Sequence, residues 1–164
     1  MDLSKIYSKR PDWAHKGNFG SVLVVAGSKL YTGSAALAGI ASLRSGADLV
    51  TVASPQRSAD IAAQTLPDLI TYPLKGDFLT TKHVDDIMDL SGVRKINSVV
   101  LGCGLGRHLT TMSAVRKLIS KFSVPLVLDA DALVAVSVEP EVLRGKHFVM
   151  THHIAELAAL LNLE

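Results

Sequence analysis

The run Val22-Leu23-Val24-Val25-Ala26 is apolar at every position and passes directly into Gly27-Ser28. A strand with one wet face alternates apolar and polar residues. An unbroken apolar run belongs to a strand covered on both faces. The stretch that follows, residues 33–45, is rich in Ala and Leu and reads as a helix. Working outward, the same alternation returns. Strands are expected over residues 48–53, 69–74, 98–101, 126–128 and 148–150. Helices are expected over 59–64, 80–90, 110–122, 130–136 and 154–163. Over 80–90, apolar Val84, Ile87, Met88 and Leu90 fall at helical spacing against Asp85, Asp86 and Asp89. Repeated strand–helix alternation predicts an α/β fold of three layers, with a mostly parallel central sheet between helices. The 164 residues, 48% of them apolar, suffice for one domain spanning 1–164.

Open parallel sheets bind ligands beyond the C-terminal ends of their strands. Four motifs follow strand candidates directly: Gly27-Ser28, Gly102-Cys103-Gly104-Leu105-Gly106, Asp129-Ala130-Asp131 and Thr151-His152-His153. That coincidence points to a small-molecule site along one edge of the sheet.

Each motif has a functional and a plainer reading. Gly33-Ser34 opens a helix whose amides can hold a phosphate or a hydroxyl; an ordinary turn and cap would look the same. The run Gly102–Gly106 resembles a dinucleotide fingerprint, but its third glycine would fall on Arg107, and it follows a late strand rather than the first. A Rossmann dehydrogenase is therefore rejected, and a loop suited to close ligand approach remains. Cys103 reads as a small, partly buried residue rather than a reactive thiol. Of Asp129 and Asp131, one is expected near the ligand and the other in a structural role such as capping the next helix. At Thr151–Glu156, a zinc site lacks a third ligand nearby; a helix start capped by Thr151, with one imidazole facing the ligand, is the better reading. Lys16, Ser28 and Arg107 are candidate phosphate contacts beside glycine turns.

A net charge of +2 is too small for the basic footprint of a nucleic-acid binder. One cysteine forbids an internal disulfide and favours a reducing, cytoplasmic setting. Residues 1–19 are polar and resemble no secretory signal, and no apolar run is long enough for a membrane helix.

Taken together, the segments His15-Lys16-Gly17-x-Phe19-Gly20, Ala26-Gly27-Ser28, Gly33-Ser34-Ala35, residues 43–50, residues 101–107, residues 125–133 and Thr151–Glu156 resemble the catalytic domain of the NAD(P)H-hydrate dehydratases over essentially the whole chain. The resemblance implies a ribokinase-like fold, akin to hydroxyethylthiazole kinase. It also implies repair of hydrated NADH or NADPH driven by ATP or ADP with Mg2+: the hydroxyl of the hydrated ring is phosphorylated and phosphate is eliminated. By position, Gly33, Ser34, Gly104, Gly106, Asp129 and His153 are implied to bind the hydrated dinucleotide. Cys103 stands where the family's G-P-G-L-G loop has Pro, His152 where its T-P-H-x-x-E motif has Pro, and Ser34 where it usually has Ala.

The family's general base is the Asp of a G-G-x-G-D loop that follows the T-P-H-x-x-E helix. No such loop occurs in this sequence, which ends at Glu164. The expectation is a domain truncated on its C-terminal side, with no catalytic base and no metal ligands of its own, most of the nucleotide site lying elsewhere, and little turnover alone. A shortened parallel sheet exposes an edge, so self-association or pairing with a C-terminal portion is expected. Two other functions fit the same residues: a small-molecule kinase of this fold, and a non-catalytic nucleotide-binding module.

Overall fold

Six strands, all parallel, form one sheet in the computed structural model, which describes Tyr7 and residues 9–161. The expected helix over 154–163 therefore runs partly outside the described residues. The elements are β1 (Ser21–Val25), α1 (Thr32–Arg44), β2 (Leu49–Pro55), α2 (Gln56–Thr65), β3 (Ile70–Leu74), α3 (Val84–Val93), β4 (Ser98–Leu101), α4 (Leu109–Lys121), β5 (Leu126–Asp129), α5 (Asp131–Val138), β6 (Phe148–Thr151) and α6 (Ile154–Leu160). The strand order is β3-β2-β1-β4-β5-β6. β1 is central, with Val24 level with Val52 of β2 on one side and Val100 of β4 on the other.

Successive side chains of a strand point to opposite faces, and here both faces are buried. Val24, Val50 and Val52 pack with Ala35 and Ala36 of α1 and Ala62 of α2. Leu23, Val25, Val99 and Leu101 pack on the other side with Val115, Leu118 and Ile119 of α4 and Leu133 of α5. That is why the strands read as unbroken apolar runs, and it establishes the expected three layers.

The boundaries differ from expectation where side chains intervene. The helix expected over 80–90 starts as a 3-10 turn at Thr81–His83. The His83 ring folds back there, Nδ1 accepting the Thr80 amide at 3.1 Å and Nε2 bonding the Lys75 carbonyl at 3.0 Å. Pro73 lies inside β3; an edge strand tolerates a missing amide donor. β2 runs on to Pro55 and passes into α2 with no loop. At the far edge, β6 leaves Phe148 40% and Val149 61% exposed.

Candidate functional site

The order 3-2-1-4-5-6 reverses the chain's direction across the sheet between β1 and β4, which opens a crevice beyond their C-terminal ends. The strand order is thus that of the doubly wound dinucleotide folds, although the glycine run follows β4 and not β1. Two backbone bonds tie the loops on either side of the crevice: Gly27 N to Cys103 O at 2.8 Å and Gly102 N to Val25 O at 3.2 Å. Gly102 has φ +128°, and a Cβ there would collide with the Asp129 carbonyl and lie 2.7 Å from Ala132 Cβ. A Cβ on Gly104 would meet Ser34 Oγ and lie 2.7 Å from Tyr31 Cβ. Glycine at these positions lets the β4 loop lie flat across the starts of α1 and α5.

Above these loops is a cavity of about 740 Å³, within the range of small-molecule sites. Ser28, Ser34, Gly104, Gly106, Arg107 and Asp129 all line it. Gly33 is exposed in the first turn of α1 beside Ser34. His153 lines a smaller adjoining pocket of about 180 Å³, and Arg107 borders both. Lys16 is not brought here. It precedes β1, at the opposite end of the sheet, in the segment whose Gly17 and Phe19 amides bond Asp48 at 2.9 and 2.8 Å.

The two aspartates take divided roles. Asp129 Oδ1 accepts the Thr151 hydroxyl at 2.7 Å and Oδ2 accepts the Cys103 thiol at 3.2 Å. Burial pushes the Cys103 thiol up to about 12, and the hydrogen bond and charge of Asp129 add to the shift; the thiol is protonated and no nucleophile at neutral pH. Asp131 Oδ2 accepts the Gly106 amide at 2.8 Å, and Oδ1 accepts Arg107 Nε at 3.1 Å. Asp131 does not cap α5, the plainer role weighed for this motif; it pins the glycine loop, and both carboxylates border the cavity. Between the two, Ala130 has φ +48° and ψ −115°, a strained conformation for a residue with a side chain, and it turns the carboxylates toward different partners.

Thr151 is likewise not the cap expected of it. As the last residue of β6 it stands level with Asp129 and donates to it. His153 closes the start of α6 instead: its Nδ1 faces the amides of Ala155 and Glu156 at 3.2 and 3.4 Å, and its own amide donates to Glu156 Oε2 at 2.9 Å. This is a capping box with imidazole in place of a hydroxyl.

Sequence reasoning missed Leu30, Tyr31, Phe78 and His108 as cavity residues. Tyr31 adjoins a quoted motif, but nothing in the sequence joins Phe78 to His108. Their rings meet at 4.0 Å between centroids only because the loop after β3 folds onto the start of α4.

A family model described as NAD(P)H-hydrate dehydratase matches residues 22–164. The bifunctional NAD(P)H-hydrate repair enzyme of Methanothermobacter thermautotrophicus is 37% identical over 99% of this chain, which spans 31% of that enzyme. The ATP-dependent (S)-NAD(P)H-hydrate dehydratase of Ciona intestinalis is 31% identical over 89% of this chain and 40% of its own length. The chain thus spans less than half the length of these relatives. Among solved structures, the ADP/ATP-dependent NAD(P)H-hydrate dehydratase of Bacillus subtilis, co-crystallised with ATP and Mg2+, superposes with a TM-score of 0.71 at 21% identity, over 94% of this chain and 51% of that one. A ribokinase-like superfamily protein of Enterococcus faecalis superposes at 0.76 with 21% identity, covering 95% of this chain and 53% of its own. The fold is ribokinase-like.

Proposed function

The chain belongs to the NAD(P)H-hydrate dehydratase family, and from that premise we propose that its cavity binds hydrated NADH or NADPH as the substrate side of an ATP- or ADP-dependent dehydration. One observation carries this reading. Six residues drawn from four separate segments (Ser28, Ser34, the Gly104–Arg107 loop and Asp129) line a single cavity at the β1/β4 crevice. The start of α1, which has no side-chain cap, suits a phosphorylated ligand. Arg107 is fixed through Nε to Asp131, and its terminal nitrogens have no protein acceptor among the described residues. They are the cation a phosphate would meet. Asp129, already receiving two protein donors, offers its remaining lone pairs to a ligand hydroxyl and aligns it.

ATP or ADP would supply the phosphoryl group that turns the ring hydroxyl into a leaving group. The described residues do not fit a resident Mg2+. Among the described residues no three His, Cys, Asp or Glu side chains converge. In this reading the ion arrives with the nucleotide's phosphates. The family's base is assigned to a G-x-G-D segment that this sequence does not contain, so binding and orientation of the substrate are the work of these residues. The exposed Phe148 and Val149 of β6 support association with another polypeptide surface. The single cysteine supports a reducing, cytoplasmic setting.

Calorimetric titration with hydrated NADH, run beside an assay for NADH regeneration with ATP or ADP, tests the reading. Saturable binding, weakened about tenfold by Arg107→Ala as expected for one lost charge-assisted bond, supports it. Absence of binding to the unaltered chain overturns it. A phosphorylated alcohol with no NADH formed would point to a kinase instead.

A further inference from the structure

The proposed substrate has two ring ends of different character. Hydration places a tetrahedral, hydroxyl-bearing carbon in the nicotinamide ring, which puckers it and removes its flat π-face. Adenine stays planar and aromatic. The cavity is correspondingly two-sided. Asp129 and Arg107 provide its polar part, while Leu30, Tyr31, Phe78 and His108 provide an apolar and aromatic part. Tyr31 and Phe78 are two of the chain's eight Phe, Trp and Tyr residues.

The aromatic residues stand on opposite walls. Tyr31 is the residue just before α1, which covers one face of the sheet, and His108 just before α4, which covers the other. Tyr31 is 59% exposed although its backbone is fixed, its amide donating to Ser28 Oγ at 3.3 Å and its carbonyl accepting Ser34 Oγ at 2.8 Å. Phe78 is held as firmly. Lys29 bonds Asp77 through both backbone and side chain, at 2.9 and 2.8 Å, and Thr111 Oγ1 donates to the Leu79 carbonyl at 2.8 Å. The Phe78 and His108 rings are tilted by 50° to each other. Exposed Tyr31 and His108 and half-buried Phe78, on braced backbone, are pre-organised walls, with little ordering left to be done on binding.

We infer that Tyr31 and the Phe78–His108 pair form aromatic jaws that hold the adenine of the dinucleotide, leaving the hydrated nicotinamide to the polar part beside Asp129. This rests on the reading proposed above. Stacking of a base on an aromatic side chain corresponds to about 5- to 150-fold in affinity.

The test titrates the full 164-residue chain with NADH, with ADP-ribose and with reduced nicotinamide mononucleotide. The expected result is that Tyr31→Ala and Tyr31→Leu each weaken NADH and ADP-ribose about fivefold or more and leave the mononucleotide unchanged, while Tyr31→Phe keeps full affinity. His108→Ala, at an exposed position, should act in the same direction; far-ultraviolet circular dichroism and thermal melts verify folding. If NADH binds but the variants match the unaltered chain, the jaws are wrong and the dinucleotide reading stands. Selective loss of the mononucleotide also overturns the jaws, since it would seat nicotinamide there. If none of the three ligands binds the unaltered chain, the jaws fall, and the titration with hydrated NADH alone decides the dinucleotide reading.

Discussion

Two glycine- and cation-bearing segments lie at opposite ends of β1, and they look alike in sequence. The one before the strand, His15–Gly20, borders a smaller pocket of about 440 Å³, and its polar groups are bound by the protein itself. Asp48 accepts the amides of Gly17 and Phe19, and Arg10 donates to Asp48 at 3.1 Å and to the Gly46 carbonyl. The same guanidinium lies 4.1 Å over the Phe19 ring. The one after the strand, together with the Gly102–Arg107 loop, surrounds a cavity. Glycine next to a cation therefore describes what the backbone is free to do. Whether a ligand is needed depends on whether protein groups already satisfy one another, and around Asp48 they do.

Paired glycine substitutions probe this contrast most strongly. Gly102→Ala must strain a positive φ and displace the Asp129 backbone; it should destabilise by about 3 kcal/mol or more in urea unfolding. Gly17→Ala strains φ +100° but meets nothing within 4 Å, so a loss of about 1–2 kcal/mol is expected. Equal losses would mean that the two loops are packed alike.

Next comes pH. The Phe19 amide, then the Gly17 amide and Arg10, hold the Asp48 carboxyl below the usual carboxylate range, against the raising effect of burial. A depressed folded pKa gives stability that is present above the unfolded value of about 3.9 and is lost as pH falls through the lower folded value. The urea midpoint of Asp48→Asn should therefore be lower at neutral pH and flatter in acid than that of the unaltered chain. Ligand binding at the far edge should not change, and a loss of dinucleotide affinity in this variant would break the separation of the two regions.

At the cavity, Cys103 with its pKa pushed up to about 12 should resist alkylation at pH 8 in the folded chain and react freely in denaturant. Rapid alkylation when folded would show that its environment is wetter than its burial implies. The smallest effect belongs to Gly33, where an added Cβ meets nothing within 4 Å. Gly33→Ala should stabilise by about 0.5–1 kcal/mol through helix propensity. Lower dinucleotide affinity accompanying that gain would mean that the ligand passes close over the start of α1.

The local arguments in the sequence held where they rested on burial and period. Strand 98–101 appears within its expected bounds, and β1 and α1 are each displaced by one residue. They failed where one side chain had several eligible partners. Thr151 looked like a cap, but Asp129 stands level with it on the next strand. Asp131 looked like a cap, but the Gly106 amide lies within reach. Lys16 looked like a phosphate contact because it adjoins a glycine, but a segment that leads into β1 lies at the strand's N-terminal end, away from the C-terminal edge where the cavity opens.

The residues alone determined the layered α/β fold, since strands wet on neither face must be covered twice, and they determined that polar loops would follow the strands. Only the tertiary structure decided which loops meet. Strand order, and with it the crevice between β1 and β4, arises from packing between segments far apart in the chain. That packing also brings Phe78 to His108 and turns Asp129 and Asp131 apart through Ala130. Hydrophobic period is a property of neighbours in sequence, whereas a binding site is a property of neighbours in space.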